Sequence, residues 1–184
     1  EGATVAGISA GGIASVTANF QPAIVDPANA VVKITEIHYH PADRQPGGEW
    51  IEIWNSGDAL VDVSGWKIYD QSDDNVFAVP AATTLPAGGK LVLAADLEAF
   101  SIAYPDVTNV TGGFDFGLGN SGDTVRLVDA GGAIVEALTY DDKAPWPTTP
   151  DGGGYSLSRV LPLTAPENPS SWTASAQLGG DPGK

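Results

Sequence analysis

The sequence predicts an all-β fold, an antiparallel β-sandwich with one short helix, on three observations. Short runs of alternating apolar and polar residues recur along most of the chain. They are broken by turn-forming residues, among them 23 Gly and 14 Pro in 184 positions, the punctuation of hairpins rather than of helix bundles. One stretch alone carries a helix start and a helix stop in the right order.

The elements follow from the N-terminus. Residues 1–20 are small and Gly-rich and end in an alternating run with Val16, Ala18 and Phe20 on one side, which reads as the last strand of a preceding β-module. Residues 21–30 set Pro22 and Pro27 among small side chains and read as a semi-extended linker. Residues 1–30 are therefore assigned as strand remnant and linker, 31–175 as the sandwich domain, and 176–184 as a tail. Within the domain, strands are expected at 31–40, 49–55, 60–63, 66–70, 75–79, 90–94, 124–129, 134–140 and 155–160. Pro46-Gly47-Gly48, Asn55-Ser56-Gly57-Asp58, Pro86-Ala87-Gly88-Gly89, Asn120-Ser121-Gly122-Asp123 and Asp129-Ala130-Gly131-Gly132 supply the turns between them. Asp96 caps a helix over 97–104, and Pro105 stops it. The stretch 161–184, rich in Pro, Gly and Ser, reads as an irregular strap and tail. The core is expected where Ile51 and Ile53, Trp66 and Ile68, and Leu91 and Leu93 each share a strand face.

Composition removes whole classes of function. With no Cys there is no disulfide framework, thiolate metal site or cysteine nucleophile. A net charge of -15, from 8 Lys+Arg against 23 Asp+Glu, opposes the counterion release that drives nucleic-acid affinity, and it repels an anionic membrane surface. No run approaches the roughly 20 apolar residues of a membrane span. A chain without Met that starts at Glu1 reads as a processed or excised piece, with any export signal upstream.

Spaced motifs then match a known pattern. Ile34-Thr35-Glu36-Ile37-His38-Tyr39-His40-Pro41 is followed by Glu49-Trp50-Ile51-Glu52-Ile53-Trp54-Asn55 and by Leu60-Val61-Asp62-Val63-Ser64-Gly65-Trp66-Lys67-Ile68-Tyr69-Asp70. Leu85-Pro86-Ala87-Gly88 with Leu91 and Leu93, the turn Gly117-Leu118-Gly119-Asn120-Ser121-Gly122-Asp123, and residues 135–142 continue the order. The chain resembles the lamin tail domain family in its secreted bacterial branch over about 31–142. The likeness extends to Trp146-Pro147, the Asp151-Gly152-Gly153-Gly154 turn and Trp172, as in larger bacterial versions. The resemblance implies an immunoglobulin-like sandwich, a structural role for Trp66, and no family-wide enzymatic activity. It also implies an accessory role in large exported proteins, some of which carry spore-coat-kinase-like domains or hydrolases.

Three constellations are candidates for chemistry. Glu36, His38 and His40 lie at i, i+2 and i+4, so a regular strand turns all three to one face, with Asp43 just beyond; two imidazoles and a carboxylate suit Zn, Ni or Fe. The competing reading is a solvated strand end, with Glu36 bonded to neighbouring backbone. Asp70, Asp73 and Asp74 with Asn75, and separately Asp141, Asp142 and Asp151, offer oxygen ligands for calcium without EF-hand spacing; otherwise these Asp residues serve as turn formers and solubilising charge. Trp50, Glu52 and Trp54 occupy the strand face opposite Ile51 and Ile53. Left open, two indoles about 13 Å apart form a surface for sugar rings or a protein partner. Closed, they pack under long loops or against residues 1–30.

Enzymatic signals are sparse. Glu49 and Glu52 at i,i+3 on a strand face opposite sides, and there is neither a Gly-x-Ser-x-Gly elbow nor a Gly-x-x-x-x-Gly-Lys loop. The expectation is a non-catalytic accessory or interaction module for protein or polysaccharide within a larger exported bacterial protein, extracellular, at the cell surface or periplasmic. It requires no cofactor, with calcium the one candidate ion. Its partners are neighbouring domains and a protein or glycan ligand, without nucleic acid or membrane insertion. The alternatives are a metal-dependent domain built on Glu36, His38 and His40, and a purely structural spacer.

Overall fold

A computed structural model describes residues 26, 29–160 and 165–184. The strand and linker expected over 1–30 lie almost entirely outside the described residues. The strands, in order, are β1 (Val32–His38), β2 (Trp50–Asn55), β3 (Val61–Asp62), β4 (Lys67–Tyr69), β5 (Val76–Ala78), β6 (Thr84–Leu85), β7 (Lys90–Ala94), β8 (Val110–Gly112), β9 (Asp123–Val128), β10 (Ile134–Tyr140), β11 (Leu157–Arg159) and β12 (Trp172–Ala174). One α-helix, α1 (Leu97–Ala103), follows β7. The Asp96 carboxylate accepts from the Ala99 N–H at 2.9 Å, satisfying one of the free donors of its first turn.

The strands form a larger sheet of six, ordered β12-β11-β1-β2-β7-β8, and a smaller one of four, ordered β10-β9-β4-β5; β3 and β6 make a separate pair. Pairing is antiparallel except between β7 and β8. This is the expected immunoglobulin-like β-sandwich, with a single short α-helix among the described residues. The inner faces carry the expected residues: Ile51 and Ile53 stand opposite Leu93 and Leu91. Together with Ile34 and Ile37 they meet Trp66, Ile68, Val125, Leu127 and Leu138 in one continuous core. Trp66 is 1% exposed, so its ring removes a large apolar area from water at the centre of the domain.

Every strand expected within 31–160 forms. The additions are β6, β8 and β12, each too short to show a period of two in sequence. The stretch 161–184 therefore needs a correction, because β12 lies within it and pairs with β11, Arg159 opposite Trp172. Trp172 fixes that strand: it is buried, its indole N–H donates to the Pro166 carbonyl at 2.7 Å, and the Arg159 guanidinium lies 5.6 Å over its ring.

A buried charge cluster joins the two sheets. Bulges interrupt β1 between Ile34 and Glu36 and β10 between Ile134 and Glu136. The second bulge leaves Ile134 exposed and turns Glu136 inward, where its Oε2 accepts from the Ile34 N–H at 2.7 Å. Arg159 Nη1 donates to both Glu136 oxygens at 2.9 Å and to the Ile34 carbonyl at 3.0 Å. The two side chains are 2% and 5% exposed, so removing either one leaves the other charged and buried.

Candidate functional site

The outer face of β1, β2 and β7 is laid out by register. His38, Trp50 and Ala94 form one row, Glu36, Glu52 and Val92 the next, and Lys33, Trp54 and Lys90 a third. The first row is roofed by α1: Trp50, Val92, Ala94 and Phe100 form a second apolar cluster, with Tyr104, Val107 and Val110 against it. Phe100 meets the Trp50 ring edge-on at 6.1 Å and Tyr104 does so at 6.3 Å. Trp50 is therefore fully buried, which corrects the expectation that it offers a binding surface.

The second row is polar and is crossed by residues 177–184. The Gly179 N–H donates to the Gly154 carbonyl at 2.7 Å, and the Tyr104 hydroxyl donates to the Gly179 carbonyl at 2.8 Å. The Asp181 N–H donates to Glu36 Oε1 at 3.0 Å, the Gly183 N–H to Glu52 Oε2 at 2.7 Å, and Lys90 Nζ to the Lys184 carbonyl. The approach is close enough to demand glycine: a Cβ at Gly180, whose φ is +84, would collide with the Glu36 carboxylate and lie 2.8 Å from both Ser156 Oγ and the Trp50 ring.

Beside this crossing lies a groove of about 360 Å³, walled by Trp54, Thr35, Glu52, Lys90, Ser158 and Lys184 among others. Trp54 is half-buried, and its indole N–H donates to the Gly88 carbonyl at 3.2 Å. That bond fixes the ring at the wall of the groove. Glu52 is fully buried but well met, by Lys90 Nζ at 2.9 Å and by the Thr35 hydroxyl at 2.7 Å. Glu36, 4% exposed, is met by neutral donors, Ser156 Oγ and the Asp181 N–H. Burial pushes its carboxyl up to about 7 against the pull of those donors, and the neighbouring Glu52 charge pushes the same way.

The transition-metal expectation is corrected by the same geometry. His38 lies against Trp50, ring centroids 5.7 Å apart, with Nδ1 donating to the Gly48 carbonyl at 3.0 Å; burial holds its imidazole below the usual range. His40 lies beyond the end of β1 and pairs with Asp151 at 2.5 Å. Glu36, His38 and His40 thus keep separate partners, and among the described residues no three His, Asp or Glu side chains gather as a metal would require. The acidic loop is organised by a cation of its own. Arg126 Nε and Nη2 donate to the Asp70 carbonyl at 3.0 and 2.7 Å, Nη2 reaches the Ser72 carbonyl at 3.0 Å, and Nη1 pairs with Asp73 at 2.6 Å. Asp70 accepts from the Ser72 N–H and the Asn75 amide, both at 2.7 Å, while Asp74 remains exposed. The guanidinium thus holds one carboxylate, Asp73, that the sequence offered to calcium, together with two backbone carbonyls of the loop. The second acidic group is dispersed as well, with Asp142 beside Lys143 at 3.3 Å and Asp151 on His40.

Lys90, Ser156 and the 179–183 backbone were not singled out as a site from sequence, and Glu52 entered only as the residue between the two indoles. The available signal was the Gly179-Gly180-Asp181-Pro182-Gly183 run, since clustered glycine marks close backbone approach as well as a loose tail.

A family model, Lamin Tail Domain, matches residues 26–142, which hold β1 to β10 and the wall residues Thr35, Glu52, Trp54 and Lys90. None of the curated proteins compared matches the chain. Residues 143–184, with β11, β12 and the segment crossing Glu36 and Glu52, extend past the matched region. With the matched motifs, the two sheets and the Trp66 core in agreement, the chain belongs to the lamin tail domain family.

Proposed function

We propose that this chain is a non-catalytic interaction module of a larger exported bacterial protein, and that the groove beside Trp54 receives a polysaccharide or protein segment from outside the cell or within the periplasm. The carrying observation is the half-buried Trp54 indole, held at the wall of a groove whose other groups are polar and charged. An apolar ring face beside hydroxyl, carboxylate and ammonium groups suits a pyranose, which stacks through its C–H face and hydrogen-bonds at its rim. Membership of a family without a family-wide activity supports the non-catalytic reading, and so does the separation of Glu36, His38 and His40. No helix among the described residues is long and apolar enough to cross a membrane. The sandwich of residues 31–175 joins neighbouring domains through the linker preceding it. The reading includes no cofactor, and the pairing of Arg126 with Asp73 in the acidic loop supports it.

The test is a panel of soluble bacterial and plant polysaccharides and of peptides, followed by calorimetry on any hit. Trp54→Ala is expected to weaken binding at least tenfold with an unchanged melting temperature. Binding indifferent to Trp54→Ala would remove the groove from the reading.

A further inference from the structure

The segment that crosses the outer face is attached unlike the rest of the domain. Two of its backbone donors end on carboxylates, Asp181 on Glu36 and Gly183 on Glu52, a third, Gly179, ends on the Gly154 carbonyl, and its Leu178 side chain is 67% exposed. Cavities of about 400, 360 and 200 Å³ border it, each reaching Lys184. Lifting it would join these spaces and open the Glu36–Glu52 pair, together with one edge of the Trp50 ring, to water.

What lies beneath is a pair of like charges. Glu36 and Glu52 are register partners on adjacent strands, which places their Cβ atoms about 5 Å apart, and both are buried. Charged groups face the pair from every side. Lys90 of β7 pairs with Glu52, and Arg159 of β11 lines the groove while its Nη1 holds Glu136. Asp181 and Lys184 come from the crossing segment, Tyr104 from the end of α1, and His38 from the next row of β1. Lys90 answers Glu52, whereas among the described residues Glu36 meets hydroxyl and amide donors alone, and a second negative charge buried at so short a range is costly.

We propose that residues 177–184 form a lid whose closure over the Glu36–Glu52 pair is coupled to a proton on that pair, so that the lid lifts when both carboxylates carry charge. The closed lid excludes water from Glu36 and so favours its neutral form, which accords with a carboxyl pushed from 4.5 to about 7 by burial above all. With the lid open, water returns and the carboxyl reverts toward its ordinary value. Between those values the closed state binds more protons than the open one, and rising pH therefore favours opening. The Asp181 N–H bond pulls the other way, since an ionised acceptor is stronger, but it is the smaller effect. Lifting the lid does not depend on what the groove binds; its bearing on binding rests on the reading above.

The test is amide hydrogen exchange at Asp181 and Gly183 in the whole chain without ligand, corrected for intrinsic base catalysis, from about pH 5.5 to 8.5. Protection is expected to fall at least about tenfold across the range while amides of β2 and β7 stay protected. Glu36→Gln, neutral at every pH, is expected to keep the lid closed throughout. Protection that stays flat in the unaltered protein, or the same fall in Glu36→Gln, would overturn the proposal. Should that variant fail to fold, carbon-13 titration of the Glu36 carboxyl decides: a midpoint near 7 supports coupling and one near 4.5 overturns it. Because no step uses a ligand, an empty polysaccharide panel leaves this result standing.

Discussion

The two faces of the larger sheet are built on opposite terms. Its inner face presents Ile34, Ile37, Ile51, Ile53, Leu91 and Leu93 to a continuous apolar core, and its buried Arg159 is matched by Glu136 of the smaller sheet. Its outer face buries Trp50 under a seven-residue helix, and beside it sets two carboxylates under a run of glycines. The first face is held by area that any strand pattern reveals, the second by a few directed bonds between polar groups. The comparison teaches that one sheet can serve as foundation on one side and as a responsive surface on the other, because the period of two separates them residue by residue.

The contrast breaks most visibly on the inner side. Trp66→Ala removes the most deeply buried indole of the core and is expected to cost about 3–5 kcal/mol, read as a lowered urea midpoint at unchanged slope. Glu136→Ala removes the carboxylate that balances the buried Arg159 charge and accepts from the Ile34 N–H, and is expected to cost about 3 kcal/mol, whereas an outer-face carboxylate responds with the opposite sign. Glu36→Gln is expected to stabilise the protein by roughly 2–3 kcal/mol near pH 8 and to leave it unchanged below about pH 4.5, seen in melts across pH. The sign follows from the raised carboxyl: its favourable contribution is present below 4.5 and is lost as pH rises through about 7. His38, held below its usual range, acts conversely, its contribution being lost as pH falls below 6.5. Asp73→Asn closes the series at less than about 1 kcal/mol in thermal melts, since its pair with Arg126 has an acidic partner 88% exposed. A larger loss there would show that the Arg126 loop is a structural centre in its own right.

Most of the fold was legible because alternation was long enough to read. Residues 134–140 and 49–55 show it plainly, and Asp96 before an apolar helical turn announced α1. The strands that escaped, β6, β8 and β12, have two or three residues and exist because a neighbour supplies their partners. The candidate site was legible in its residues and not in its exposure. Trp50, Glu52 and Trp54 do share the face opposite Ile51 and Ile53, but nothing local says that Phe100 will cover Trp50 and leave Trp54 half open. Likewise, the i, i+2, i+4 spacing of Glu36, His38 and His40 assumes a strand that continues, and β1 stops at His38. The Arg126 guanidinium reached the acidic loop from a strand more than fifty residues away in sequence, a distance over which spacing carries no information.

The inward Glu136 also bears on how such a domain behaves when crowded beside copies of itself. β10 is a seven-residue strand at the margin of its sheet, long enough to template pairing with another chain. A carboxylate turned into the barrel-like seam, at a bulge that disrupts the ladder, spoils that margin for a passing strand: pairing flat against it would require stripping Glu136 from Arg159. The same salt bridge that ties the two sheets together thereby acts as a guard against self-association, and it matters most where folded copies of the domain are held at high local concentration.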